Sequence, residues 1–427
     1  MRRRDVVKGI TLTPVSLTIG GLAFSANVRA VSEYPFGGEV VWAGITYLSH
    51  SEGRLEKSRA SLSRKTQLGS ANQVLTRLLQ SADDIKDKVG LVIGSENLEY
   101  AEGVRAGMTL ALANELVAED SVSKVDGSRV FNCLLVGYAF IYDIQSKEIQ
   151  YSFPVRVQYT VGLDAASGSS QDVFNLMLNV DGSQTSVDPN STQSYLLSRM
   201  RALNVSVPSQ NRWRYRVATP ETAERVASDT AQLGVDEANF LDWMGFALTD
   251  AFSSKLNVPV SPYRDSRATG ADMLIQFPSG SDTLALEIPA SDYEIRPLIR
   301  GWGVKERTDP QSSVVIVTIL AGLSLEIVDV FNPDDPQVLF SQRFRVQSDY
   351  LQSDAVRYDP MLRLLMMYGR LFEEISESIG GSESARSRLF SGETIRLSDE
   401  ETVSCSLVGE SAGFIAQSDV VKKNLPF

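Results

Sequence analysis

The sequence predicts an α/β (α+β) protein made of two related modules, each a mostly antiparallel sheet with amphipathic helices packed on it. The first observation is a duplicated hairpin: Gly322–Gln347 reads as two strands joined by a turn, with a weaker copy at Ala139–Gln158. Ile141-Tyr142-Asp143-Ile144 matches Ile327-Val328-Asp329-Val330, and Ile149-Gln150-Tyr151-Ser152 matches Val338-Leu339-Phe340-Ser341. Val155-Arg156-Val157-Gln158 likewise matches Phe344-Arg345-Val346-Gln347. The second is that runs with strand periodicity mix with one-faced helical runs. The third is size and composition: 427 residues, 43% hydrophobic and 22% charged, fit two or three ordinary globular domains.

Ahead of the modules stands a leader, residues 1–30. Arg2-Arg3-Arg4-Asp5-Val6-Val7-Lys8 precedes a mildly apolar run from Ile10 to Phe24, and Val28-Arg29-Ala30 supplies small residues for cleavage. A basic start, an apolar run too short to span as a helix and a small-residue site form an export signal. It resembles a bacterial twin-arginine signal, with Val6-Val7 where Phe-Leu is usual; ordinary Sec export and an uncleaved anchor are the alternatives. No cysteine stands near the cleavage site for lipid attachment. Cleavage after Ala30 removes five basic residues and Asp5, so the formal charge falls from −12 to −16. Such acidity argues against a nucleic-acid backbone or an anionic membrane surface as partner. The expected compartment is the periplasm or the exterior, with no transmembrane span after cleavage. There Cys133 and Cys405 either pair or, with Cys133 in an apolar run, remain buried thiols.

The first module is placed at 31–161. Gly38–Leu48 opens it as a strand, followed by a polar, basic patch at Glu56–Lys65. Ser70 caps a helix bearing Val74, Leu75, Leu78, Leu79, Ala82 and Ile85 on one face. Val89–Ile93 is a short strand, and Glu102–Glu115 reads as a helix whose Met108–Leu116 matches Met244–Phe252. In the hairpin, Ile149, Tyr151, Phe153, Val155, Val157 and Tyr159 alternate with polar residues, the signature of a strand with one wet face. Pro154 on the polar side marks an edge or a bulge. Residues 162–210 read as linker and short helix (Ser194–Leu203).

The second module spans 211–381. It runs through a strand at Trp213–Val217, a helix start at Thr219-Pro220-Glu221 and a helix after Asp236 with Phe240, Trp243, Met244, Ala247, Leu248 and Ala251 on one face. Strands follow at Met273–Phe277, Thr283–Ile288, Tyr293–Ile299 and Val314–Val330. A helix from Pro360 then carries Met361, Leu364, Leu365, Tyr368, Leu371, Phe372, Ile375 and Ile379 to Gly380-Gly381, its Met366-Met367 pair reading as packing. The remaining 382–427 is expected as a polar tail with one strand at Thr402–Val408.

This order over Asp236–Ile379, with a blurred copy in Trp42–Tyr159, resembles the small α/β domains of bacterial envelope proteins of the curli-secretion and TolB amino-terminal type. The turn Asn332-Pro333-Asp334-Asp335-Pro336 replaces the usual Thr-Gly-Glu, and the lipid-bearing cysteine is absent. The resemblance implies an exported, non-catalytic module that serves assemblies or binds partners.

Chemistry is sparse. His50 is the single histidine, too few for a zinc site with two distant cysteines, and it reads as a loop residue. No Gly-x-Ser-x-Gly element is present, and Gly90–Gly94 lacks phosphate-loop spacing and lysine. Asp329, Asn332, Asp334 and Asp335 offer hard oxygens, yet prolines and turn-forming residues explain them as a turn. Asp399-Glu400-Glu401 reads as a solvated charge run. No catalytic, cofactor-binding or metal residue is assigned. Of Trp42, Trp213, Trp243 and Trp302, the last, in Arg300-Gly301-Trp302-Gly303, is the candidate contact residue together with Arg300. The reading is an exported envelope accessory protein that binds a protein partner or ligand without catalysis and without cofactor. The alternatives are an exported enzyme and a solute-binding protein.

Overall fold

The computed structural model describes residues 36, 39–48, 54–64, 70–93, 104–122, 129–163, 169–178, 191–202, 215–223, 236–256, 258–263, 272–277, 283–308, 315–352, 360–396 and 401–423. The leader, His50, Trp213 and the acidic pair Asp399-Glu400 lie outside these described residues. From its amino end the chain runs through β1 (Glu39–Leu48), α1 (Glu56–Ser63), α2 (Ala71–Gln80), α3 (Asp83–Val89) and β2 (Leu91–Val92). A meander follows, of β3 (Val104–Val122), β4 (Arg129–Asp143) and β5 (Ile149–Leu163), and then α4 (Ser170–Met177) and α5 (Thr192–Ala202). The second half begins with β6 (Tyr215–Val217), β7 (Glu221–Thr222), α6 (Glu237–Leu256), β8 (Asp272–Gln276) and β9 (Thr283–Glu287). It continues with β10 (Tyr293–Thr308), β11 (Val315–Asp329), β12 (Gln337–Gln352) and α7 (Pro360–Ile379). It closes with α8 (Glu383–Ser391), β13 (Thr394–Arg396), β14 (Glu401–Leu407) and α9 (Ser411–Lys423).

The two halves build two mixed, mainly antiparallel sheets. Their strand orders are β5-β4-β3-β1-β8-β9 and β13-β14-β12-β11-β10-β6. In each, the opening strand lies parallel to the first meander strand, with helices between them in sequence. The repeat therefore reads β-α-β-β-β-α twice. Its register is kept to the residue: Met108 faces Ile141 as Ile295 faces Ile327, and Cys133 and Tyr159 pair further along the first hairpin. Two bulges recur at equivalent points. One falls between Leu112 and Asn114 and again between Ile299 and Gly301; the other falls at Ile141/Tyr142 and again at Ile327/Val328. A bulge is a one-residue insertion that re-aims a strand, so two shared bulges mark a shared design.

Several expectations change. Glu102–Glu115 is not a helix: Val104–Val122 is a central strand, so its match to the true helix Met244–Phe252 fails, and the counterpart of Met108 is Ile295. Met108, Leu110 and Leu112 are buried on one face of β3, Ala111 and Ala113 on the other. With both faces apolar, period-two alternation vanishes, and tertiary pairing overrides helix-forming composition. The basic patch after Glu56 includes α1, which buries Ser58, Ser61 and Leu62. Thr219-Pro220-Glu221 starts no helix within the described residues; Glu221 and Thr222 pair with Leu298 and Ile299. The stretch expected as linker and short helix holds that helix as α5 and adds α4, and Val173, Phe174, Leu196 and Met200 of the two enter the first core. The hairpin of β8 and β9, from the second stretch of sequence, pairs onto β1 of the first sheet. Among the described residues, 382–396 and 401–423 hold two strands and two helices where one strand is expected.

Others stand in the structure. Ser70 forms a capping box with Gln73 on α2, β5 is an edge strand, as Pro154 requires, and Gly381 leaves α7 at φ 94°. Cys133 on β4 and Cys405 on β14 are free, buried thiols in separate cores, and burial pushes each up to about 12.

The packing is layered. One face of the first sheet, with Leu135, Ala139, Ile141, Phe153 and Val155, lies against the residues of α2 to α5. Its other face, with Leu134, Val136, Tyr138, Phe140 and Tyr142, joins a second core with α6, α7 and the inner face of the second sheet. Helix α6 is therefore buried on more than the one face expected, its Phe246 meeting Tyr138 at 5.7 Å. The outer face of the second sheet is left without a covering layer among the described residues.

Candidate functional site

The uncovered face is built by alternation. On β11, Leu323, Leu325 and Ile327 point into the core, so Leu320, Gly322, Ser324 and Glu326 point out. On β12, Phe344 and Val346 are buried, which turns Arg343, Arg345 and Gln347 outward. On β10, Ile295 and Ile299 are buried and Arg296 is exposed; the bulge adds the exposed Arg300 to the same side. Rows across the three strands read Arg296–Glu326–Ser341, Leu298–Ser324–Arg343 and Gly301–Gly322–Arg345.

Two adjoining depressions occupy this face. One of about 1010 Å³ is lined by Glu294, Arg296, Arg300, Ser324, Glu326 and Arg343 among others. Its neighbour, about 810 Å³, is lined by Arg300, Gly301, Gly303, Gly322, Arg343 and Arg345, with Val408 at the margin of both. At one end the charges are neutralised internally. Glu294 accepts from Arg216 at 2.7 Å and from Arg296 at 2.7 Å. Burial works against the charged form of Glu294, but the hydrogen bond from Arg296 and the charge of Arg216 outweigh it and hold the carboxyl below its ordinary value. At the other end the arginines lack carboxylates. Arg300 donates to Ser324 Oγ at 3.2 Å and Arg345 to Gln347 Oε1 at 3.3 Å, and no ion pair among the described residues engages Arg300, Arg343 or Arg345. Guanidinium groups stay protonated and only donate, so this cluster suits recognition of planar oxyanions.

The two candidate contact residues line the same depression from different sides. Arg300 is exposed on the open face. Trp302 is half-buried and packs its ring on Phe240 of α6 at 5.4 Å, so much of it belongs to the core. Arg343, Arg345 and Gly322 were not singled out in sequence. Their signal is the run Arg343-Phe344-Arg345-Val346, arginines at alternate positions of a strand whose other positions are apolar, in an acidic chain.

The remaining sequence candidates take structural roles. Asp143 Oδ1 accepts from the Gln145 and Ser146 amides at 2.8 and 2.7 Å, and Asp329 Oδ1 accepts from the Phe331 amide at 3.0 Å. Both aspartates start their turns. Trp42 donates to Thr76 Oγ1 at 3.2 Å, and Trp243 is buried. Glu401 is not part of a solvated run: it is buried and pairs with Arg363, whose guanidinium lies 5.4 Å from the Tyr350 ring centroid.

Buried charge joins α6 to the first module. Asp242 accepts from Arg54 at 2.9 Å and from the Tyr263 hydroxyl at 3.3 Å, while Tyr138 Oη accepts from the Tyr263 amide at 3.0 Å. Asp250 accepts from Tyr195 Oη at 3.1 Å. Burial raises its carboxyl above the ordinary value, against the pull of Arg156 and Arg199.

No family model matches the sequence, and no curated protein matches it. Among solved structures, the chain is similar to the crystal structure of protein XCC0632 from Xanthomonas campestris, of family DUF330. The similarity is 11% in identity, with a TM-score of 0.17, over 40% of this chain and 84% of that one. Among the described residues no helix is long and apolar enough to cross a membrane.

Proposed function

We propose that this protein is an exported accessory protein of the bacterial envelope, periplasmic or secreted, that acts by binding a protein partner rather than by catalysis. The binding surface is the outer face of the second sheet. One observation carries the reading: the equivalent face of the first sheet is covered by α6, whereas among the described residues this one has no covering layer and presents Arg300, Arg343 and Arg345 without ion-pair partners. The polar character of the face suits a separable partner, since permanent interfaces are more apolar. The basic leader with its small-residue cleavage site supports export.

Site-specific photo-crosslinking in an envelope fraction tests this directly. A crosslinker at Leu320 or Gln347 is expected to trap a discrete partner, and one at exposed Glu410 is not. Retention of the full chain in the cytoplasm, or the absence of an adduct at both positions, overturns the reading. A stoichiometric cofactor in the purified protein would replace it with the exported-enzyme alternative.

A further inference from the structure

Building on that reading, we infer that the open face carries a carboxylate-binding slot over Gly322, shaped to receive an acidic side chain of the partner. Gly322 lies on the middle strand, directly opposite Gly301 on one side and Arg345 on the other. Neighbouring strands are about 4.8 Å apart, so the flanking backbones stand about 10 Å apart across a position with no side chain. Arg300 borders the slot from β10, Arg345 from β12, and Arg343 stands one row along, beside Ser324. A ligand oxygen thus has room to reach down to backbone level over Gly322, in a depression lined by three arginines that have no ion-pair partner among the described residues. A planar fork matches a carboxylate in two parallel hydrogen bonds, which a lysine would not provide.

The repeat supplies an internal precedent for the ligand class. By register, Arg345 corresponds to Arg156 of the first module. The Arg156 guanidinium lies against Gly369 of α7, its nitrogens 3.1 Å from where a Cβ would stand, and it acts on the Asp250 carboxyl of α6. In the first module, then, an arginine at this position is covered by α7 and lies in the field of a helix-borne carboxylate from the same covering layer, without forming an ion pair with it. In the second module the arginine is present, Val136 is replaced by Gly322 and Ala113 by Arg300, and no carboxylate among the described residues pairs with it. The chain's formal charge of −12 makes three arginines on one face a local exception that draws an acidic segment to this place.

Isothermal titration of the full chain with an end-capped hexaglutamate peptide tests the slot, with citrate and inorganic phosphate at matched ionic strength. The peptide is expected to bind, with about tenfold weaker affinity in Arg300→Gln or Arg345→Gln. Gly322→Val separates a built site from diffuse attraction: it keeps every charge, and a Cβ there meets nothing closer than Arg300 Cβ at 3.5 Å. It is expected to weaken binding as much as losing one arginine. Unchanged melting of each variant keeps folding out of the comparison. The inference falls if Gly322→Val binds like the wild type, if hexaglutamate binds no better than to the triple glutamine variant, or if phosphate outcompetes carboxylate. A partner that still crosslinks at Leu320 in the triple variant leaves the binding reading standing while removing the carboxylate slot; loss of all crosslinking at this face in the wild type removes both.

Discussion

Replacing Tyr138 with alanine tests whether the first sheet is covered by α6, on which the contrast between the two open and closed faces depends. Tyr138 is fully buried, stacks near Phe140 at 5.9 Å and tilts against Phe246 at 5.7 Å. Removing a buried aromatic ring costs about 3–5 kcal/mol through lost transfer energy and the cavity left behind. The Tyr263 amide, which donates to Tyr138 Oη at 3.0 Å, would also lose its acceptor, adding about 1–3 kcal/mol. The expected total is about 4–8 kcal/mol, while Tyr138→Phe isolates the lost hydroxyl at about 1–3 kcal/mol. The matched control is Ser324→Ala, the residue at the same register position on the second sheet, which faces outward and should cost no more than about 0.5 kcal/mol. Urea unfolding followed by tryptophan fluorescence reads the difference as a midpoint shift; with a slope of about 3 kcal/mol/M, 5 kcal/mol is close to 1.7 M. A Tyr138→Ala midpoint within error of Ser324→Ala would refute the layered packing.

Two further outcomes follow from single groups. Asp329→Asn keeps an oxygen for the Phe331 amide and should leave stability within about 0.5 kcal/mol, while Asp329→Leu should lose about 1 kcal/mol with no effect on partner binding; the reverse ranking in the same urea assay would reopen a chemical role for this aspartate. Asp250 holds its proton more tightly folded than unfolded, so its contribution is greatest below the unfolded value of 3.8 and is lost as pH rises through the window above it. Against Asp250→Asn, the wild type should therefore gain stability as pH falls from 7 toward 4; a flat difference in thermal melting across that range would contradict the raised carboxyl.

The duplicated hairpin was legible because its side chains obey two constraints at once: apolar residues alternate with polar ones along each return strand, and an aspartate starts each turn. Those constraints act between near neighbours and so survive in the linear order. The strand β3 was illegible for the opposite reason. Its Met108-Thr109-Leu110-Ala111-Leu112-Ala113 is apolar on both sides because α2 to α5 and α6 cover both faces of its sheet, and that pattern is shared by buried helices. Trp302 and Arg300 were picked out as a pair by their flanking glycines, yet the bulge at Arg300 sends one outward while the other packs on Phe240.

By itself the sequence determined the two-module α/β class, the acidic balance and the alternation that places arginines on one side of β12. Each depends on residues close together in the chain. Only the tertiary structure decided that β8 and β9 join the first sheet, that α6 fills the space between the sheets, and that Arg300, Arg343 and Arg345 line one depression with Gly322. Convergence of strands 21 to 45 residues apart is set by pairing register and layer stacking, and neither is written in the order of neighbouring residues.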